Sequence, residues 1–147
     1  MAKDFIIERL ATTHVGGVLV GRGVLRNPWI LAQARDLAAG RVPRAVSLRE
    51  RGEFLLEYMD LLLYEGAGEA DGFRHIAGSD RAAAETRTAR GRERWVINKV
   101  RALGTWYTKG FENGSHLRVA INRAESLTAL RETICAFFFE GRTVFAA

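Results

Sequence analysis

The sequence predicts a mainly α fold: a helical bundle over residues 47–139, preceded by one strand–turn–helix unit. Three observations carry that prediction. Apolar residues recur at three- and four-residue spacing through the long segments, as the buried stripe of an amphipathic helix requires. Capping residues and glycines bracket those segments. One stretch breaks the helical period: Gly16-Gly17-Val18-Leu19-Val20-Gly21-Arg22-Gly23-Val24-Leu25-Arg26-Asn27-Pro28-Trp29. Its unbroken run Val18, Leu19, Val20 suits a short strand covered on both faces.

The elements follow in order. Asp4 to Ala11 reads as a short amphipathic helix, and His14 lies in the turn that leads to the strand. A lone loop histidine with no second ligand nearby is a structural or solvent-facing residue. Asn27 and Pro28 suit the cap and first turn of a helix running to Ala39, with Gly40 as its stop. Ile30, Leu31, Ala34, Leu37 and Ala38 form its apolar face. Arg41 to Val46, containing Pro43, is the linker. Ser47-Leu48-Arg49-Glu50 is a capping box, and the helix it opens runs to Tyr64 with an apolar face wide enough to require a bundle. Gly66, Gly68 and Gly72 interrupt the pattern; Ser79 is a candidate cap for a basic helix to Arg90. A stronger helix spans Arg92 to Thr108 and buries Trp95, Val96, Val100, Leu103 and Trp106, with Lys109-Gly110 as its stop. Ser115 is the candidate cap of a short helix, and Ser126 of a last one that buries Leu127, Leu130, Ile134, Phe137 and Phe138 and stops near Gly141.

Composition bounds the function. With 147 residues, 48% of them hydrophobic, the chain has the material for an ordinary folded core. No apolar run is long enough to cross a membrane, and the first residues do not have the pattern of a signal peptide, so a cytoplasmic location is expected. A single cysteine, Cys135, excludes an internal disulfide framework and sits on the apolar last helix as an inert thiol. The net charge of +5 is uneven: residues 74–123 carry eleven Lys or Arg against four Asp or Glu. That asymmetry points to a polyanionic partner for the middle of the chain, or to a solvated basic face.

The strand, the glycine turn and the following helix start form a candidate anion site. Gly21 and Gly23 permit a sharp turn and close approach, free backbone N–H groups face outward, and Arg22 offers a guanidinium that takes phosphate oxygens bidentately.

The string from Gly17 to Trp29 closely resembles the last strand and following helix of the tRNA-dihydrouridine synthases, flavin enzymes built from a TIM (β/α)8 barrel and a C-terminal helical domain. The resemblance implies that residues 1–42 are a terminal βα fragment of such a barrel. It further implies that Gly21 and Arg22, with Gly23 in the same turn, hold the FMN phosphate, as barrel phosphate sites lie after strands seven and eight. Lys99 to Asn122, containing Trp106-Tyr107-Thr108-Lys109-Gly110, is similar to the same family's helical domain, which grips tRNA. By that match residues 43–147 are the tRNA-binding domain, and Lys99, Arg101, Tyr107, Lys109 and Arg118 are its candidate RNA contacts. Many members carry Arg-Lys-His before the Trp-Tyr pair; here Arg101-Ala102-Leu103 stands instead.

What the resemblance implies is the C-terminal part of an enzyme in which FMN, re-reduced by NADPH, reduces uridine to dihydrouridine in tRNA. The earlier barrel strands and the loop with the catalytic cysteine are not in this sequence, so no catalytic residue is assigned. A lone strand leaves its backbone groups unpaired, and residues 15–25 are therefore expected either to pair with the missing barrel half or a second copy, or to lack fixed structure. Two other readings stay open at this point: a non-catalytic helical RNA-binding module, and a helical protein-interaction domain.

Overall fold

A computed structural model of the chain describes residues 2–64 and 89–141, with side chains over 4–64 and 91–141. Seven helices form among the described residues: α1 (Ala2–Thr12), α2 (Gly23–Arg26), α3 (Ile30–Ala38), α4 (Leu48–Tyr64), α5 (Ala89–Tyr107), α6 (Gly114–Arg123) and α7 (Leu127–Phe138). The basic helix expected from Ser79 and the glycines at 66, 68 and 72 lie outside the described residues.

The strand expected at Val18–Val20 does not form. This segment runs without regular structure, and none of its backbone groups hydrogen-bonds to another among the described residues. The side chains still alternate as a strand's would. Val18 and Val20 turn toward Ile6, Ile30 and Ala34, whereas Leu19 is 96% exposed. The alternation is local, but a strand also needs a neighbour for its N–H and C=O groups, and no described segment supplies one. The glycine turn instead winds into α2, where the Val24 N–H donates to the Gly21 carbonyl at 3.2 Å.

The caps decide where the other helices begin. Ser47 and Glu50 satisfy each other: the Ser47 N–H and hydroxyl donate to the Glu50 carboxylate at 2.8 and 2.9 Å, and the Glu50 N–H donates to Ser47 Oγ at 3.2 Å. Ser126 Oγ accepts the Ala129 N–H at 3.1 Å, a cap that stabilises α7 by about 1 kcal/mol. Two expected caps are displaced. Asn27 does not cap α3; Pro28 and Trp29 form a turn first, and the Asn27 side chain donates to Gln33 Oε1 at 2.8 Å. Nor does Ser115 cap α6. The helix starts at Gly114, after Asn113 in the left-handed region (φ 56°). A Cβ at Gly114 would lie 2.2 Å from the Thr108 carbonyl oxygen, so glycine lets this helix start against the end of α5.

The main core gathers fully buried side chains from four helices: Leu55 and Met59 of α4, Val96 and Val100 of α5, Leu117 and Ile121 of α6, Leu130 and Ile134 of α7. Each large aliphatic side chain so buried contributes about 1.5–3 kcal/mol from area removed from water. α4 and α7 meet closely at Gly52, where a Cβ would stand 2.5 Å from Phe138 Cβ. A smaller cluster joins α1 to α3 through Ile6, Ile30 and Ala34. The two clusters are linked at Trp29, whose ring meets Phe54 edge-on at 5.4 Å, and at Gln33, whose amide donates to the Arg44 carbonyl at 2.8 Å.

Candidate nucleic-acid interface

Helix α5 positions most of the candidate residues, and its period sorts them. Val96, Val100, Leu103 and Tyr107 fall on one stripe, at spacings of four, three and four, and this stripe faces the core. Trp95, Lys99, Ala102, Trp106 and Lys109 fall on the stripe one residue behind, which stands at the edge of solvent. Aromatic rings and cations alternate along it. Lys99 Nζ lies 5.4 Å and Arg92 Cζ 5.1 Å from the centre of the Trp95 ring. Lys109 Nζ lies 4.1 Å from the centre of the Trp106 ring. Each cation on a ring face is worth about 0.5–1 kcal/mol at an exposed site, and the ring holds the charge in place without neutralising it.

This arrangement reverses the expectation that Trp106 lies in the core and Tyr107 contacts RNA. The structure buries Tyr107 completely. Its ring stacks on Phe54 at 5.6 Å and meets Phe111 edge-on at 5.9 Å, and its hydroxyl donates to the Arg51 carbonyl at 2.9 Å. Burial pushes the phenol well above its ordinary pKa, with the nearby Arg51 opposing weakly. Tyr107 has no face for a base to stack on; it is a core residue. Trp106 is only half-buried.

Arg101 points elsewhere. Its guanidinium donates to the Ala124 carbonyl at 2.9 Å, tying α5 to the α6–α7 joint, and its Nε is buried without a partner. It lines a cleft with Glu93, Arg94, Ile97, Glu125 and Ser126. Glu93 is committed there, accepting the Leu127 N–H at 2.9 Å at the start of α7. Arg118 sits half-buried on α6. Lys99 and Lys109 thus share one surface, whereas Arg101 and Tyr107 do not join it.

The glycine turn comes to that same surface. α2 packs on α5, and Arg22 Cζ stands 5.1 Å from the centre of the Trp106 ring. Gly21 is open, with nothing within 4 Å of where a Cβ would be; Gly23 opens α2. An exposed arginine beside an open turn and a helix start fits a phosphate group. Gly21, Arg22 and Gly23 stand together in this turn among the described residues. Among those residues there is also no cluster of metal-ligating side chains and no helix long and apolar enough to cross a membrane.

Sequence reasoning missed Arg26, Arg92 and the partial exposure of Trp106. The signal was present in the four-three spacing that separates Trp95, Lys99, Trp106 and Lys109 from Val96, Val100, Leu103 and Tyr107. The two stripes differ by a single residue, and both contain aromatics.

The chain has detectable relatives. It is 24% identical over 135 residues to a probable tRNA-dihydrouridine synthase of Rickettsia typhi, an alignment covering 89% of this chain and 33% of that protein. A protein of the same description from Mycobacterium leprae is 28% identical over 128 residues, covering 84% of this chain and 26% of its own length. The chain therefore spans a third or less of these relatives. No solved structure gives a significant match. The family model for dihydrouridine synthase (Dus) matches residues 6–95. That match takes in more than half of the sequence, including the glycine turn, α3 and α4, and the chain belongs to the dihydrouridine synthase family.

Proposed function

We propose that this chain is the C-terminal part of an FMN-dependent tRNA-dihydrouridine synthase, carrying the tRNA grip and the flavin-phosphate corner. The observation that carries the reading is the alignment itself: relatives named for tRNA-dihydrouridine synthesis match nearly all of this chain with a third or less of their own length. Residues 1–42 are then the closing βα unit of a TIM barrel, and residues 43–147 the helical tRNA-binding domain. Gly21, Arg22 and Gly23 would hold the FMN phosphate. Bound FMN supplies the hydride, with NADPH as reductant, in the complete enzyme. The chain's own contribution is to bind and orient RNA through the Lys99–Lys109 stripe, where fixed cations meet phosphates.

Residues 15–25 are the place where the remaining barrel would join. Val15 to Val20 make no backbone hydrogen bond among the described residues, and Leu19 stands in solvent. Both features suit a strand awaiting neighbours.

Titration of tRNA into the purified chain at several salt concentrations tests the RNA half of this reading. Tight binding with a steep negative salt slope supports it. No binding by a chain with intact helicity refutes it. Hydrogen exchange tests the other half: rapid exchange at Val18–Val20 in a monomer is expected, and strong protection there would sink the idea of an unpaired strand.

A second reading, a non-catalytic RNA-binding helical module, rests on the cation-and-ring stripe of α5 alone. Cys135 lies on α7 beside Thr128, Arg131, Glu132 and Ala136, remote in sequence from the glycine turn. Retention of FMN on mixing would favour the first reading over this one; the chain alone, with one corner of the site, is expected not to retain it.

A further inference from the structure

The two hydrophobic clusters meet across a joint and do not merge. α1 packs on α3 around Ile6, Ile30 and Ala34, whereas the main core lies among α4 to α7. Residues 41–47, which lead from α3 to α4, have no regular structure. Exposed ion pairs tie them down, Arg41 with Asp36 and Arg44 with Glu50, and such pairs are weak in water. Across the joint α2 rests on α5, with Arg26 Nη2 3.1 Å from where a Cβ would stand at Gly110. Two compact units connected in this way shift against each other unless a specific contact holds them.

Arg51 is placed to hold them. Its backbone is fixed twice: the N–H donates to the Ser47 carbonyl at 3.2 Å, and the carbonyl accepts the Tyr107 hydroxyl at 2.9 Å. From that anchored point the side chain reaches two rings. Its Cζ lies 5.4 Å from the centre of the Trp29 ring and 5.2 Å from that of Phe111. The rings belong to opposite sides of the joint. Trp29 stands at the start of α3, next to Ile30 of the small cluster. Phe111 follows α5 and meets Tyr107 and Phe138 edge-on in the main core. Phe54, three residues along the same face of α4, meets the Trp29 ring as well. No carboxylate pairs with Arg51 among the described residues, so its charge is left to the ring faces. A half-buried guanidinium gains more from such faces than an exposed one, because less water competes for it.

We infer that Arg51 is the positioning residue that fixes the α1–α3 unit on the helical bundle, acting through its charge on the ring of Trp29. On the function proposed above, the remaining barrel joins the α1–α3 side and the bundle holds RNA, so the angle between them runs through Arg51. That consequence rests on the proposed function; the joint itself does not.

The test compares Arg51→Met, which keeps an unbranched stem and removes the charge, with Arg51→Lys, which keeps a charge; both are made in the full chain. Hydrogen exchange read by mass spectrometry compares the amides of α3 with those of α4 and α7. Arg51→Met is expected to speed exchange in α3 by roughly tenfold while α4 and α7 stay protected, and Arg51→Lys to restore part of the protection. A second readout follows orientation. Spin labels at Glu8→Cys on α1 and Asn122→Cys on α6, both exposed positions, are placed in a Cys135→Ala background. Their distance distribution should be narrow with Arg51 in place and broader in Arg51→Met. Arg49→Met takes a cation off the Phe139 ring within the bundle and should change neither readout. Unchanged exchange and an unchanged distribution in Arg51→Met overturn the inference. Equal behaviour of Arg51→Met and Arg51→Lys also overturns it, because the stem and not the charge is then the holding group. So does a parallel loss of protection in α3, α4 and α7, which makes the chain one cooperative unit with no joint. Neither readout uses RNA or flavin, so failure of the joint leaves the proposed function standing, and failure of tRNA binding leaves the joint standing.

Discussion

Replacing Tyr107 by phenylalanine removes one hydroxyl and keeps a ring that is wholly enclosed by Phe54, Phe111 and the core of α4 and α5. The hydroxyl's partner is the Arg51 carbonyl, 2.9 Å away inside α4. That carbonyl already accepts the regular bond of its helix, so the substitution leaves no buried acceptor wholly unsatisfied. The loss should lie within the net contribution of a single neutral hydrogen bond, about 0.5–1.5 kcal/mol. For a bundle of about a hundred residues, each kcal/mol moves the melting point by about 4–8 °C. Thermal unfolding followed by far-UV circular dichroism should show a drop of a few degrees. Tyr107→Ala, which empties the ring's volume, should cost about 3–5 kcal/mol and is expected to unfold much of the bundle. Affinity of folded Tyr107→Phe for tRNA should equal that of the unsubstituted chain. A tenfold loss of affinity with an unchanged melting point would show the hydroxyl reaching RNA and refute the core assignment.

Gly52→Ala should destabilise by about 1–3 kcal/mol despite alanine's better helix propensity, because the added methyl meets Phe138 Cβ at 2.5 Å; denaturant unfolding measures it. Ser126→Ala should cost about 1 kcal/mol through removal of the cap on Ala129, read in the same assay. Asp36 and Glu50 give an acid dependence. Hydrogen bonds from the Arg41 side chain and the Arg44 N–H hold Asp36 below its ordinary value, and the Ser47 N–H and hydroxyl do the same for Glu50. Their folded-state pKa values are depressed, so their stabilisation is present above about pH 4 and is lost as pH falls through the depressed values. Circular dichroism on acidification should show that loss, and Asp36→Asn with Glu50→Gln should weaken it. Tyr107 runs the other way. Its raised pKa means stability that is complete below about pH 10 and declines as pH rises beyond, a decline that Tyr107→Phe should lack.

Much of the architecture is legible in residues that act locally. Ser47 with Glu50, Ser126, Gly40 and Gly141 mark helix ends through contacts a few residues long, and the structure places those ends accordingly. Expectations fail where the deciding neighbour is set by packing. The start of α6 depends on Gly114 meeting the Thr108 carbonyl, so Ser115 never serves as the cap. The strand at Val18–Val20 shows a similar limit, since its inward–outward alternation is encoded in the sequence while its hydrogen-bond partners are not. The candidate interface is half visible. The family resemblance picks out Lys99 and Lys109 from a basic segment, but Trp106 and Tyr107 are adjacent aromatics of one helix, and only the packing of α4 against α5 decides which turns inward. Arg22 and Arg26 join the surface through the contact of α2 with α5, which no spacing in the sequence encodes.

Every tryptophan of this chain carries a cation: Arg51 on Trp29, Arg92 and Lys99 on Trp95, Arg22 and Lys109 on Trp106. Indole emission responds to charge beside the ring. The intrinsic fluorescence of the protein is therefore a built-in gauge of its own electrostatics. A ligand that draws Lys99, Lys109 or Arg22 off its ring shifts the light from Trp95 or Trp106, while Trp29, set between the two hydrophobic clusters, reports only whether they remain joined. The same rings that hold the cations in place make their engagement visible without a label.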